Sequence, residues 1–391
     1  MAYRSEIPYG AYWSTPFARW QGALSGLNAL ELAAEVVRRE LARRDLSPAA
    51  FDHGVLGFSV PQKHSFYGLP WLAGMAGIGN VTGPTVMQAC STGVRALLAG
   101  VQEIESGLAS ASLVVTCDRT SNGPHLYYPD PRGPGGTGAH EDWVMDNFRC
   151  DPLGPHAMID TAEKVAAKHG VSSAEQHEVV LLREAQYRKS LGAFQRRFMS
   201  LPFEVPKARE PLPGDEGVRS SSAEALAKLK PVIQGGTVTY GGQTYPADGN
   251  AALVVAAPER ARELSRDPKI RIRLLGFGQS RAPLGFMPEA PIPAAQRALD
   301  QAGLAFAALK AVKTHNPFAV NDIVFSRDTG VPLERMNDYG CSLVWGHPQA
   351  PMATRAIIEL IEALVVAGGG DGLFTGCAAG DSAMAVVLRV S

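Results

Sequence analysis

Thr85-Val86-Met87-Gln88-Ala89-Cys90-Ser91-Thr92-Gly93-Val94-Arg95-Ala96-Leu97 sets a lone thiol between a β-rich approach and a helix-like run. Beyond the sulfur, Val94, Leu97, Leu98, Val101 and Ile104 recur at helical spacing. The apolar face of a helix therefore begins within one turn of Cys90. A thiol at a helix N-terminus meets unpaired backbone N–H groups and the positive end of the helix dipole, which favour thiolate. The dipole contributes about 0.3–1 kcal/mol, which at ~1.36 kcal/mol per pKa unit lowers a thiol by only ~1 unit. A working nucleophile needs a base as well. The alternative is a buried cysteine packing as a small hydrophobe.

Outward from this stretch, helical and strand patterns alternate, which predicts an α/β class. Residues 27–44 read as an amphipathic helix, 54–60 as a buried strand and 111–117 as another. Residues 127–138 are rich in proline and glycine and read as an exposed excursion. Helices are predicted over 161–169 and 174–190, with Gly170 as a natural stop. Strand chemistry returns at 235–239 and 251–255, and a second α/β block begins near Ile270. The two blocks echo each other in pattern. Cys90 is followed by a helix and by a strand ending at Cys117, 27 residues on; His347 is followed by a helix, a short strand and Cys377, 30 residues on. Two similar α/β domains facing each other are the expectation.

With 391 residues, 46% of them hydrophobic and 19% charged, the chain is globular and long enough for two or three domains. A net charge of −1 gives no electrostatic case for a nucleic-acid or membrane partner. Five cysteines (Cys90, Cys117, Cys150, Cys341, Cys377) do not resemble a disulfide framework, and their odd number fits a reducing compartment. No CxxC pair exists, which argues against structural zinc, and no metal is expected. The N-terminal residues lack an apolar signal core, and no apolar run reaches transmembrane length. A cytoplasmic location is expected.

Nine histidines are candidate bases, and two stand out. Gly346-His347-Pro348 follows the apolar run 341–345, where one element hands over to a helix. His315, in Thr314-His315-Asn316-Pro317-Phe318-Ala319, follows the β-like run 311–313. Either could equally be a satisfied structural residue. Cys377, in Thr375-Gly376-Cys377-Ala378-Ala379-Gly380-Asp381, suits a tight turn, or a place where backbone N–H groups approach a ligand.

Together these residues resemble a family, the thiolases. Gln88-Ala89-Cys90-Ser91-Thr92-Gly93 resembles the family's nucleophile motif, and Asn337-Asp338-Tyr339-Gly340 with Gly346-His347-Pro348 its Asn-rich turn and Gly-His-Pro. Cys377-Ala378-Ala379-Gly380 resembles its C-terminal Cys-x-Gly-Gly, and residues 315–319 stand in place of its Asn-Glu-Ala-Phe-Ala block. Residues 158–163, 226–231 and 236–239 with Asp248-Gly249 agree as well, so the likeness runs from about 25 to 390.

The resemblance implies a five-layered α-β-α-β-α fold. Its N-terminal domain would be residues 1–118 and 243–268, its loop domain 119–242 and its C-terminal domain 269–391. It implies acyl transfer on 3-ketoacyl-CoA, by cleavage or condensation, with coenzyme A as substrate and no permanently bound cofactor. Cys90 would be the acylated nucleophile, His347 its base and Cys377 the acid/base for the α-carbon. His347 with His315 would form one oxyanion hole, and the backbone N–H groups of Cys90 and Ala379 the other. Arg219 resembles an arginine near the adenine end of coenzyme A and Thr244 a serine that contacts the pantetheine. His156, Met158 and Phe318 fall where the family lines its substrate site. A homodimer or homotetramer is implied, and some divergent relatives work with a small accessory subunit.

Departures mark this chain. His315 replaces the usual Asn, as in the sterol-carrier-type branch. Ala379 and Asp381 replace glycines, and an ionised Asp381 is expected to raise the pKa of Cys377. Met87, Tyr339 and 350–353 also differ from the family pattern, which favours a bulkier acyl chain than acetyl or acetoacetyl. Seven basic residues between Arg183 and Arg209, against two acidic ones, offer either a phosphate site or a solvated helix face. Two other readings stay open: a non-catalytic or accessory-dependent acyl-CoA-binding subunit, and a single-cysteine condensing synthase on the same fold.

Overall fold

The computed structural model describes residues 3–189 and 191–391. Two mixed sheets flank a central pair of helices, Thr92–Ser106 and Ala350–Val366. The first sheet runs Tyr12–Ser14, Ala247–Ala256, Ala111–Arg119, His53–Gly57, Thr85–Val86, with Ala18–Arg19 also on Ala247–Ala256. The second runs Ala311–His315, Gly370–Ala378, Ser382–Val390, Ile272–Arg281. Helices Ala29–Arg43 and Leu69–Ala76 cover the outer face of the first sheet, and Pro291–Ala302 that of the second. That makes five layers, as expected.

Burial explains the central layers. All ten residues of Ala247–Ala256 are buried, as for a strand covered on both faces. The helix Ala350–Val366 is buried from Ala350 through Leu364, including Arg355, Glu359 and Glu362, so it has no solvent face. Gly93 permits the helix crossing: a Cβ there would stand 2.6 Å from Thr354 N and Oγ1. The expected echo is present. Each central helix leads into a buried strand, Ala111–Arg119 or Gly370–Ala378, which then pairs antiparallel with a further strand. The helix N-termini meet at the middle of the molecule.

Between Arg119 and Ala247 the chain leaves the sheet. The glycine- and proline-rich stretch is a hairpin, His125–Pro129 with Gly138–Asp142. The predicted helices are Met158–His169 and Ser173–Arg188; Ser190 lies outside the described residues. The first starts early because Asp160 accepts the Ala157 N–H at 2.7 Å. Residues 235–239 are not a strand. The amides of Thr237 and Val238 donate to Glu163, so they are not free to form a ladder, and only a single bridge pairs Thr239 with Pro231. Among the described residues no helix is long and apolar enough to cross a membrane.

A buried ion network ties the excursion to both domains. The Arg355 guanidinium lies 4.7 Å from the Phe17 ring and 4.4 Å from that of Trp345. It donates twice to Asp215 (2.6 and 2.7 Å) and once to Glu359 (3.0 Å). Glu359 also accepts from Lys313 at 2.8 Å, and Lys313 donates to the carbonyls of Asp338 and Gly340. Removing one member of such a network strands the opposite charge, which costs about 3–5 kcal/mol. Asp215→Ala is therefore expected to lower the thermal midpoint by several degrees or more, read by differential scanning calorimetry. A midpoint equal to wild type would show that Arg355 does not depend on this partner.

Candidate active site

Cys90 sits in a tight turn, Ala89–Ser91, immediately before the helix Thr92–Ser106. Ala89 takes φ +43°, a left-handed value that is uncommon for a residue with a Cβ. Thr92 holds the turn, its hydroxyl donating to Ala89 O and accepting from Gln88 N–H. Ser91 Oγ donates to Gly376 O at 3.3 Å, tying this turn to the strand that carries Cys377. The Cys90 sulfur stands 3.0 Å from His347 Nε2 and 3.3 Å from Gln349 Oε1, both just ahead of the second central helix. Crossing the helices thus joins the thiol and the imidazole from opposite halves of the chain.

The electrostatics reverse one expectation. Burial pushes the Cys90 thiol up to about 12, although the N–H groups of Ala379 and of Cys90 itself pull it down. Burial likewise lowers His347 to about 3. The helix dipole is worth ~1 unit and desolvation of a buried group ~3–5 units, so desolvation wins. Burial therefore favours the neutral thiol and the neutral imidazole at rest.

The second thiol, Cys377, is 1% exposed near the end of Gly370–Ala378 and accepts from Asn321 Nδ2 at 3.5 Å. Its pKa is raised by burial first, and a thiolate at Cys90 would raise it further. Asp381 is not among the causes, which corrects the expectation from sequence. Its carboxylate turns away and accepts the Gly285 N–H at 2.9 Å.

His315 is buried beside His347, ring centres 4.4 Å apart, with Nδ1 2.9 Å from Ser342 Oγ and Nε2 without a partner. His347 Nδ1 also lacks a partner, so no carboxylate orients the base. Below lies Asp322, which accepts from Thr314 Oγ1, Asn316 Nδ2, Asn337 Nδ2 and Arg183 Nε. Arg183, one of the seven cationic residues noted in sequence, is fully buried here and belongs to no phosphate patch. Asn337 Oδ1 accepts the Thr314 N–H, so the Asn-rich turn serves to hold the strand that carries His315. Asp118, 1% exposed, accepts from Ser59 N and Oγ, Val60 N and Ala350 N. Burial raises its pKa to about 7. It pins the start of the second central helix to the site wall.

Cys90, Cys377, His347 and Ala379 open on one cavity of about 670 Å³. Trp143, Val144, Met145 and Phe148 supply an apolar wall, with Met158, Phe318 and Thr244 around it. The Thr244 hydroxyl donates to Ser342 O at 2.6 Å, so toward a ligand it offers only an acceptor. Two expected residues lie elsewhere. Arg219 is exposed and outside the cavity wall, and His156 lies beside Asp151 and Asp381 rather than in that wall. Gln349, Asn321, Asp322 and Asp118 were not singled out in sequence. Only the closeness of Gln349 to His347 could have flagged one of them.

A five-layered fold that brings two thiols and an imidazole to one cavity beside the converging ends of its central helices fits an acyl-transfer protein. The chain belongs to the thiolase family: residues 11–259 match the thiolase N-terminal domain and residues 269–390 the thiolase C-terminal domain. It is an acyltransferase of the thiolase type. The acetyl-CoA acetyltransferase of Escherichia coli (strain K12) is 28% identical over 389 residues, 96% of each chain. The 3-ketoacyl-CoA thiolase of Erwinia tasmaniensis is 29% identical over 420 residues, covering 96% of this chain and 94% of that one. The crystal structure of human mitochondrial 3-ketoacyl-CoA thiolase in complex with CoA superposes with a TM-score of 0.91 at 25% identity, covering 100% and 99% of the two chains.

A neutral resting pair has a kinetic signature, because alkylation follows the thiolate fraction. Iodoacetamide labelling of Cys90, followed by peptide mapping, is expected to accelerate roughly tenfold per pH unit from pH 7 to 10 without levelling. A plateau between pH 5 and 8 would instead reveal a preformed thiolate–imidazolium pair.

Proposed function

We propose that the protein cleaves or forms 3-ketoacyl-CoA by carrying the acyl group on Cys90. The observation that carries this is the 3.0 Å contact of Cys90 Sγ with His347 Nε2, with Cys377 in the same cavity. In the cleavage direction His347 takes the Cys90 proton and the sulfur attacks the 3-keto carbon. The C2–C3 bond then breaks, its electron pair forms the enolate of acetyl-CoA, and Cys377 protonates that carbon. A second coenzyme A thiol displaces the acyl group and restores Cys90.

Two oxyanion holes serve these steps. The N–H groups of Cys90 and Ala379, which already act on the sulfur, receive the oxyanion formed at C3. His347, with His315 directly or through a held water, would serve the enolate oxygen. The Ser342 hydroxyl donates to Asn316 Oδ1 at 3.0 Å, so across the 2.9 Å contact with His315 it is the acceptor of the Nδ1–H. That assignment puts the His315 proton on Nδ1 and leaves the unpartnered Nε2 an acceptor, suited to hold a water.

The apolar wall and the cavity volume support an acyl chain bulkier than acetyl. Thr244 would accept a pantetheine amide N–H, and exposed Arg219 would meet coenzyme A only at its nucleotide end. Residues 1–118 with 243–268, 119–242 and 269–391 are the proposed domains. Five unpaired cysteines fit a reducing compartment.

Cys377→Ser separates the half-reactions. Self-acylation of Cys90 by a simple acyl-CoA needs only nucleophile, base and oxyanion hole, so it is expected to survive. Carbon–carbon cleavage, followed by loss of the 3-ketoacyl-CoA enolate absorbance, is expected to fall roughly 10²–10⁴-fold. Unchanged cleavage would favour the single-cysteine synthase reading.

An oligomer is also proposed. The edge strand Thr85–Val86 is flanked by exposed Phe66, Tyr67 and Met87, and the hairpin bears exposed Tyr127 and Tyr128. Light scattering is expected to give a dimer or tetramer mass at micromolar concentration, and a single-chain mass would overturn it.

A further inference from the structure

Asp381 sits in a left-handed turn at φ +55° and is 2% exposed. Its Oδ2 accepts from Gly285 N–H, whereas its Oδ1 is buried with no hydrogen-bond partner. An ionised oxygen in that position is costly unless something positive meets it. Beside it stands Asp151, 7% exposed, whose Oδ1 accepts from the amides of Leu153 and Gly154. The third neighbour is partly buried His156. One ligand atom from each residue lies within 4.8 Å of the other two, yet no side-chain hydrogen bond joins any pair. Lys164 flanks Gly285 but makes no ion pair with either carboxylate. Two carboxylates and an imidazole thus converge around an unpartnered buried oxygen, an arrangement that a shared cation would satisfy.

We propose that Asp151, His156 and Asp381 bind a first-row divalent cation, with water completing its shell. Two carboxylates and one imidazole suit zinc or manganese. Ligand atoms held at about 2.0–2.2 Å from zinc stand roughly 3–4 Å apart, so the three side chains need close by only about an ångström. The absence of CxxC spacing does not bear on a site assembled from distant segments. The loop that carries Asp151 and His156 leads into the helix whose Met158 walls the cavity, and Asp381 follows the Ala379 amide by two residues. A cation here fixes the acyl wall and the oxyanion turn to one another. It is a structural staple next to the catalytic site.

The test is zinc titration calorimetry, with metal analysis after dialysis, on the full chain carrying Cys90→Ser. That background removes the sulfur from the competing Cys90–His315–His347 group. One zinc per chain is expected, with a higher thermal midpoint when zinc is bound. Adding Asp381→Asn or Asp151→Asn is expected to weaken binding by more than the roughly 10–100-fold that outer hydrogen-bond partners are worth. Asp381→Gly relieves the turn strain, so its loss of zinc cannot be ascribed to misfolding. Equal zinc binding by the Asp381 variants overturns the proposal. So does failure of the parent to bind zinc at millimolar concentration.

Discussion

The close crossing of the two central helices is the constraint on which the rest of the molecule depends. Gly93 lets Thr92–Ser106 lie against Thr354, and no larger residue fits that gap without a shift. The crossing sets the helix N-termini face to face. Cys90 arrives on one, and His347 and Gln349 on the other. A thiol–imidazole contact of 3.0 Å between residues 257 positions apart is thus a property of helix packing.

That packing has an electrostatic consequence. The same layers that align the thiol and imidazole also bury much of both, and that burial raises the pKa of the one and lowers that of the other. Burial thus favours an uncharged site at rest. Charge develops only as the sulfur attacks, where the backbone N–H groups of Cys90 and Ala379 are already placed to meet it. Such preorganised donors contribute more in a dry site than in water, because they need no reorientation. The supporting groups, Asp322 below His315 and Asp118 at the start of Ala350–Val366, are buried carboxylates saturated with donors. They hold geometry and do not touch the reacting atoms.

Much of this was legible in the sequence. The apolar spacing after Cys90 gave the helix, and the echo between 90–117 and 347–377 gave two facing halves, because both are local patterns. The thiols and histidines stood out as chemically reactive residues in unusual neighbourhoods. Other features could not be read locally. Residues 235–239 look like a strand until Glu163 takes their amides. Arg183 looks like a surface cation until Asp322 is packed against it. The effect assigned to Asp381 failed because direction matters: the residue follows Cys377 by four positions, yet its carboxylate points toward Gly285. Arg219 and His156 were carried over by resemblance alone, and their surroundings in this chain place them outside the cavity wall.

The central claim is that Cys90 carries the acyl group with its carbonyl oxygen held by two backbone amides. A crystal structure of Cys377→Ser after brief exposure to an acyl-CoA tests it most directly. The account predicts continuous density from Cys90 Sγ to the acyl carbon, with the carbonyl oxygen within about 3.2 Å of the Cys90 and Ala379 nitrogens. Acyl density on another residue, or a carbonyl turned toward His315 and His347, would contradict it.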